Sequence, residues 1–391
     1  MPDVAEWVPP LRVGMVGGGP EAFIGAVHRQ AMRLDDSARI VCGAFSSTAE
    51  RSRAQGAALG LDPGRVHGAW HDLIAAEAAR PARERMEALV IVTPNDLHLP
   101  VAAAALAAGF AVFSDKPATR TLAEARELVA AVRSSGRPYA LAHTYLGYPA
   151  VREARVRVAA GALGRVRRVV VDYPQGWLSS ALEAGGHKQA AWRTDPARSG
   201  PGGVIADIGT HAFNLAEYVT GTRVAAVCAD LASVVPGRRV DDDAAVFLRF
   251  ADGARGVLLA SQVATGEDND LSIRVYGERG AIAWNHGAPD RLVVLDAAGA
   301  SRREIRVGAG AAELDPEVRR YCRTPPGHPE GFIEALANLY RDFAGDVRAP
   351  GTMARSAAGP AAALRGMAFV EATIASSAAG QAWQQLPEND E

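Results

Sequence analysis

Three side chains carry the proton chemistry open to this chain: Lys116, Asp207 and His211. Lys116 stands in Ser114-Asp115-Lys116-Pro117, just past an apolar run, in a chain with few lysines. An amine at the exit of a buried strand is partly desolvated, which lowers its pKa toward the range where it can take or return a proton. Asp207 and His211 lie four apart in GGVIADIGTHAFNLAEYVTG. On a helix that spacing puts carboxylate and imidazole on one face. Asp207 would then orient or polarise a hydroxyl, and His211, titrating near neutrality, would pass a proton. The bland alternatives are an exposed loop lysine, an N-capping aspartate and a core histidine.

Residues suited to a polyol crowd the same region: His143, Tyr145, Tyr148, Trp177, Lys188, Trp192 and Arg193. Flat rings pack on sugar faces, and polar groups bond hydroxyls. Gly200, Gly202 and Gly203 leave room for a ligand against the backbone. Asp207, His211 and His143 could instead offer three metal ligands, but no HExxH or cysteine pair supports zinc, and the expectation is no metal. No GxSxG elbow supports a serine nucleophile. His328, in GHPEGF, either caps the next helix or reaches the site.

The stretch LRVGMVGGGPEAFIG, residues 11–25, must position a cofactor beside these groups. It reads as strand, glycine turn and helix, in the order a dinucleotide needs. Gly17 allows the tight turn and Gly19 a close approach of the pyrophosphate. Ala22 takes the third small position, where helix and strand pack closely. Pro20 suits the first helical residue, Phe23 follows it, and Glu21 is expected to turn to solvent. The N–H groups of that helix would face the phosphates.

Residues 11–142 alternate strand and helix, with strands at 11–16, 39–45, 88–93, 110–114 and 138–142. Helices are expected near 21–34, 48–58, 96–108 and 121–135. The strands are continuous apolar runs, as in a parallel sheet covered on both faces. Ligands bind outside the carboxyl ends of such strands. The exits therefore supply the candidate cofactor contacts: Gly17, Gly19, Pro20, Ala22 and Phe23; Ser46, Ser47 and Arg51; Thr93, Pro94, Asn95 and His98; Asp115 and Lys116. The second strand ends Phe45-Ser46-Ser47-Thr48, where an acid would usually bind ribose hydroxyls. Hydroxyls and Arg51 lean to NADP(H), with NAD(H) close behind; alternatively Arg51 is merely solvated.

The chain divides into a dinucleotide domain, 1–145, and a substrate-binding domain, 146–391. Past Gly147 a helix near 148–160 leads to alternating strands at 165–173, 223–235, 243–250, 255–263 and 270–276. Short strands are expected between 281 and 307. This reads as a largely antiparallel sheet with one face covered. Residues 176–221 insert a glycine-rich loop and a helix, two helical segments follow residue 329, and the tail LPENDE reads as frayed.

At 391 residues, two domains are the default, and 48% hydrophobic residues support a sizeable core. A net charge of −2 gives no call for nucleic acid or an anionic membrane. Cys42, Cys228 and Cys322 are odd in number and lack metal spacing, which suggests a reducing compartment. No signal peptide is legible, and the longest apolar run, 99–113, is broken and too short to span a bilayer. The expectation is a cytoplasmic protein.

The run VGGGPEAFIGAVHR, the TPNDLH and DKP segments, and WRTDPARSGPGGVIADIGTHAFN together resemble the Gfo/Idh/MocA oxidoreductases, over residues 11–345. The resemblance implies an α/β architecture: an N-terminal Rossmann domain and a C-terminal α/β domain with an open, mostly antiparallel sheet. It implies NAD(P)-dependent oxidation or reduction of a ring hydroxyl in a sugar, cyclitol or derivative. The family's E-K-P lysine falls on Lys116, its D-x-G-x-H pair on Asp207 and His211, and its T-P-N segment on Thr93, Pro94 and Asn95. Homodimers or homotetramers formed through the open sheet are also implied. Asp115 departs from the usual Glu, and Pro20-Glu21 from the usual turn. A redox-cycling isomerase or glycoside-cleaving enzyme that keeps its NAD, or a non-catalytic sensor, is the alternative.

Overall fold

The computed structural model describes residues 9–20, 22–298, 301–349 and 358–387. Glu21 lies outside these. The first half runs β1 (Leu11–Gly17), α1 (Phe23–Leu34), β2 (Ala38–Ala44), α2 (Ala49–Ala58), α3 (Trp70–Ala78), β3 (Ala88–Val92), α4 (His98–Ala107), β4 (Ala111–Ser114), α5 (Leu122–Ser135) and β5 (Tyr139–Leu141). The five strands are all parallel, in the order β2-β1-β3-β4-β5. Val13, Met15, Leu89, Val90, Ile91, Val112 and Phe113 are fully buried, which is why the strands read as unbroken apolar runs.

One helix was missed. The β2–β3 crossover holds α3 as well as α2, where the sequence reading has a single helix. Much of what fixes α3 is polar. The buried carboxylate of Glu77 accepts from Arg65 Nη2 (2.6 Å) and from the backbone N–H of Met86 (2.8 Å). Apolar periodicity does not reveal such an anchor.

The glycine turn departs from expectation at two positions. Pro20 is not the first helical residue; it lies in a turn closed by the Ala22 N–H on the Gly19 carbonyl (2.9 Å), and α1 begins at Phe23. Ala22 is the residue before the helix and not the close-packing position. That role falls to Gly25, where a Cβ would lie 2.4 Å from the Gly18 Cα. Because α1 begins only at Phe23, past the turn that holds Pro20, the contact moves one helical turn along. Gly17 and Gly18 both have positive φ (87° and 73°), which other residues seldom adopt.

The second half runs α6 (Pro149–Ala159), β6 (Val166–Pro174), α7 (Lys188–Arg193), α8 (Pro196–Ser199), α9 (Thr210–Thr220), β7 (Val224–Ala232), β8 (Asp243–Phe250), β9 (Arg255–Ser261), β10 (Ser272–Gly277), β11 (Gly280–Asn285), β12 (Arg291–Asp296), β13 (Ser301–Arg306), α10 (Pro316–Arg319), α11 (Phe332–Arg348), α12 (Pro360–Ala378) and β14 (Gln384–Gln385). The nine strands form one sheet, β13-β12-β11-β10-β6-β9-β8-β7-β14. It is antiparallel except for β6 beside β9. Along β8, Ala244, Val246, Leu248 and Phe250 are buried while Ala245, Phe247 and Arg249 face out. Helices α6, α9 and α12 lie against this sheet. The glycine-rich insert carries the short helices α7 and α8 ahead of the expected long one.

The last two long helices return to the first half. Helix α11 packs on α1, and α12 packs on α5 as well as on β7. His28 Nδ1 lies 2.7 Å from the Tyr340 hydroxyl, and Arg323 pairs with Asp35 across the same seam. The start of the tail is anchored, which its composition did not suggest. Leu386 is buried and its N–H donates to the Ala225 carbonyl (2.8 Å), while residues 388–391 lie outside the described set. Among the described residues no helix is long and apolar enough to cross a membrane.

The Gly25 contact has a direct test. Gly25→Ala must push α1 away from the backbone of Gly18, and is expected to lower the unfolding free energy by about 1–3 kcal/mol. Urea denaturation measures it; an unchanged midpoint would overturn the packing assignment.

Candidate active site

The carboxyl edge of the parallel sheet meets the insert of the second half at one carboxylate. Lys116, past β4, donates from Nζ to Asp207 Oδ1 (2.7 Å) and to the Asp207 carbonyl (2.5 Å). Gln262 Nε2, just past β9, donates to Oδ2 (2.8 Å), and Arg193 Nε, at the end of α7, stands 3.3 Å from the same oxygen. Burial would raise the Asp207 pKa, but the charges of Lys116 and Arg193 and these hydrogen bonds hold it well below the usual carboxylate range.

The local fold explains why Asp207 can be there. Residues Ile205–Gly209 form a π turn that runs straight into α9. Such turns widen a helix and recur at functional sites. Asp207 does not cap this helix. The carboxylate that meets its N-terminal end is Asp241, which accepts from the N–H groups of Gly203 (2.6 Å) and Ile205 (2.8 Å). A side chain at 203 is impossible without movement, since its Cβ would fall 2.0 Å from the Asp241 carbonyl oxygen. Neither Asp241 nor Gln262 was singled out from the sequence. The acidic run Asp241-Asp242-Asp243 was the available signal for the first; nothing in spacing marks the second.

His211 lies in the first turn of α9, beside a second imidazole. His143 Nδ1 is 3.4 Å from His211 Nδ1, with the rings edge to face at 80°. Burial, then the nearby Lys116 charge, pushes the His143 pKa down to about 3 and the His211 pKa well below its ordinary value. Both rings are therefore neutral near pH 7. His211 is 8% exposed and His143 only 2%.

The polyol candidates divide. Tyr145 supplies a wall: its ring packs edge-on against His211 at 5.0 Å, while its hydroxyl is engaged by Tyr173 (2.5 Å) and Asn269 (3.0 Å). Tyr148 sits behind that wall, 1% exposed, with its hydroxyl 3.0 Å from His286 Nε2. It belongs to the core and corrects the expectation of a direct ligand: as the residue before α6 it is enclosed by Tyr145, Trp284 and His286. Trp192 and Trp177 flank Arg193, whose guanidinium lies 4.2 Å and 5.8 Å from their ring centres. Lys188 opens α7 with its residue exposed. His328 does neither thing expected of it: it is exposed in a turn with Pro325, and Gly331 and Glu334 cap α11.

The cofactor candidates line the adjoining edge. The β4 exit that carries Lys116 is two strands from the glycine turn, about 10 Å at ordinary strand spacing. Thr93 Oγ1 and Asn95 Oδ1 are buried there with no hydrogen-bond partner among the described residues. Polar atoms in that condition are costly unless a ligand or water meets them, so the cleft fits a hydrogen-bonding group such as a nicotinamide nucleotide. Gly19 allows a close backbone approach, since a Cβ there would lie 2.8 Å from the Phe45 carbonyl. Pro20 and Phe23 stand at the same turn, Phe23 74% exposed. Pro94 leads into the short turn Asn95–Leu97. Ser46 is half-buried and Ser47 and Arg51 are exposed past β2.

Two of these residues act within the protein. His98 ties two exits together, with Nδ1 2.7 Å from the Pro117 carbonyl and Nε2 3.0 Å from the Thr93 carbonyl. Asp115 accepts from the N–H of Lys116 (2.8 Å), which is what its shorter side chain reaches. The insert is stitched to the same exits: Asn95 Nδ2 donates to the Ser199 carbonyl (2.9 Å), and Arg120 Nη1 to the Ala197 carbonyl (3.1 Å). Among the described residues no three His, Cys, Asp or Glu side chains gather as a metal site.

Glycines at the head of a parallel sheet, with a lysine–carboxylate pair and two imidazoles near its exits, fit a nucleotide-dependent oxidoreductase. Comparison with known proteins makes the class specific: this chain belongs to the GFO/IDH/MocA oxidoreductases. The model of the oxidoreductase family with NAD-binding Rossmann fold matches residues 11–143, and that of the GFO/IDH/MocA C-terminal domain matches residues 151–283. The uncharacterized oxidoreductase YfiI of Bacillus subtilis is 31% identical over 340 residues, 86% of this chain and 85% of that one. Levoglucosan dehydrogenase of Pseudarthrobacter phenanthrenivorans is 28% identical over 333 residues, 76% and 79% of the two chains. An inositol dehydrogenase homolog from Azotobacter vinelandii, complexed with NAD+, superposes with a TM-score of 0.91 at 32% identity, covering 97% of this chain and 98% of that one. Its complex with NADH and myo-inositol gives a TM-score of 0.88 at 31% identity, with the same coverage.

The buried imidazoles set a pH dependence of folding. A histidine whose folded pKa lies below 6.5 stays neutral while the unfolded chain takes up a proton, so stability falls as pH drops below about 6.5. For His143 alone the loss at pH 5 is on the order of 2 kcal/mol; His211 and His28 add with the same sign. Asp207 contributes with its own window: its stabilisation is intact above the usual carboxylate pKa and is lost only below about pH 4. Urea unfolding at pH 7 and pH 5 is expected to show the histidine loss, and His143→Asn to show a loss smaller by about 2 kcal/mol. Equal losses in the two proteins would refute the assignment.

Proposed function

We propose that this protein transfers hydride between a nicotinamide cofactor and a ring secondary hydroxyl or ketone of a sugar, cyclitol or derivative. The observation that supports this most is the placing of Lys116, Asp207 and His211 together at the exit of the nucleotide-binding sheet. Bound NAD(P) supplies the hydride acceptor or donor. Gly17, Gly19, Thr93, Pro94 and Asn95 would hold it.

Lys116 enters the site as half of an ion pair, and an amine engaged that way donates hydrogen bonds. It therefore suits the oxygen of the reacting carbon, where its charge stabilises negative charge as that charge develops. His211 is neutral and can accept the hydroxyl proton in oxidation or return it in reduction. The ion pair thus favours His211 over Lys116 as the proton acceptor. Asp207 holds Lys116 in place, and Arg193 with Trp192 borders the substrate space. Relatives named levoglucosan dehydrogenase and inositol 2-dehydrogenase support the substrate class.

The finer points rest on single features. The lack of an acid at the β2 exit before Glu50, with Arg51 one residue on, favours NADP alongside NAD. Phe247, 57% exposed, with Leu259 and Tyr276 on the open face of the second sheet supports a homodimer or homotetramer through that face. Three free cysteines support a cytoplasmic setting.

Two measurements test this reading. A panel of polyols is assayed with NAD and NADP by the absorbance of reduced nicotinamide. On the best substrate, Lys116→Ala is expected to lower kcat by about 10²–10⁴-fold, with NADH affinity by fluorescence little changed; retention of most activity would sink the assignment. Arg51→Glu is expected to shift the ratio of kcat/KM for NAD over NADP upward by about tenfold, or about 1.4 kcal/mol. An unchanged ratio would remove Arg51 from the cofactor site.

A further inference from the structure

The contact between His143 and His211 constrains more than position. A neutral imidazole carries one N–H and one lone pair. Two neutral rings meeting Nδ1 to Nδ1 form a hydrogen bond only if they hold opposite tautomers. Like tautomers would oppose two N–H groups, or leave two lone pairs unmet, in a buried place. The partner of His211 at this nitrogen is His143, at 3.4 Å. Tyr145 meets His211 with its ring alone, because its hydroxyl is engaged elsewhere. The state of the outer nitrogen of His211 is therefore tied to which ring donates at Nδ1.

We infer that His143 is a positioning residue that holds His211 as its Nδ1–H tautomer, leaving a lone pair on Nε2 to receive the substrate proton. In this arrangement His211 Nδ1–H donates to the bare Nδ1 of His143, and His143 carries its own proton on Nε2. When His211 accepts a proton from the substrate hydroxyl at Nε2, the O–H bond breaks and its electron pair stays on oxygen. The imidazolium that forms keeps its Nδ1–H on His143. An orienting partner of this sort plays the part a carboxylate plays in a hydrolase triad. A neutral partner suits this site, since Lys116 and Asp207 already pair there and a second carboxylate would compete for the ammonium. His143 was expected to bind substrate; its near-complete burial and its contact with His211 give it this role instead.

The inference rests on the oxidoreductase reading for the use of the lone pair, but its first test does not need turnover. Nitrogen-15 NMR of the imidazoles in the intact protein near pH 7 reports which nitrogen of His211 bears the proton. Wild type is expected to show His211 protonated at Nδ1. His143→Phe, which offers no acceptor, is expected to move a large share of His211 to the Nε2–H form. His143→Asn, whose side-chain oxygen can stand near the lost Nδ1, is expected to restore the Nδ1–H form. On the best polyol, His143→Phe should lower kcat by about 10²-fold with KM little changed, and His143→Asn should recover most of the loss. A wild-type His211 protonated at Nε2, or a His143→Phe enzyme with wild-type kcat, overturns the inference. Should no polyol be oxidised while the NMR result holds, the functional reading fails and the tautomer assignment stands.

Discussion

A largely buried carboxylate must be answered by charge and hydrogen bonds, and the answer to Asp207 comes from three distant parts of the chain. Lys116 belongs to the nucleotide-binding half, Arg193 to the insert and Gln262 to the end of a strand in the second sheet. Removing one partner from such a group leaves an uncompensated charge, which is far more costly than the net worth of the pair. The two halves of the protein are therefore held in register at the candidate site. The stitching of the insert to Asn95 and Arg120 extends the same constraint along the sheet edge.

That constraint also sets the electrostatics around it. With Asp207 kept ionised and paired, the Lys116 charge does not dominate the site, yet it is close enough to help keep both imidazoles neutral. Two cations, one anion and two uncharged bases thus influence one another at this site. Burial alone would have neutralised the carboxylate as well. The division of labour among chemically similar groups follows from which neighbours each one has.

Much of this was legible in the residues. The parallel strands announced themselves as unbroken apolar runs, the glycine turn by its place between strand and helix, and Lys116, Asp207 and His211 by type and position. What was not legible depended on tertiary contact. Gly25 takes the packing role assigned to Ala22 because α1 begins only at Phe23, past the turn that holds Pro20. Helix α3 is anchored by a buried Glu77, which no apolar period reveals. Tyr148 looked like a ligand beside Tyr145, but it packs against Trp284 and His286 in the core. Gln262 is invisible locally, because its only relation to Asp207 is through a strand end 55 positions away.

The two margins of the nine-stranded sheet are unlike its middle. On one side β14 covers β7 with only Gln384 and Gln385, too short to template another chain. On the other, β13 reads SRREIR, four charged residues in six, with all but Ile305 exposed. Short or charged border strands discourage the lateral pairing that leads to aggregates. Both borders are therefore poor templates for a further strand, so edge-to-edge pairing of this sheet with another copy is disfavoured at each end.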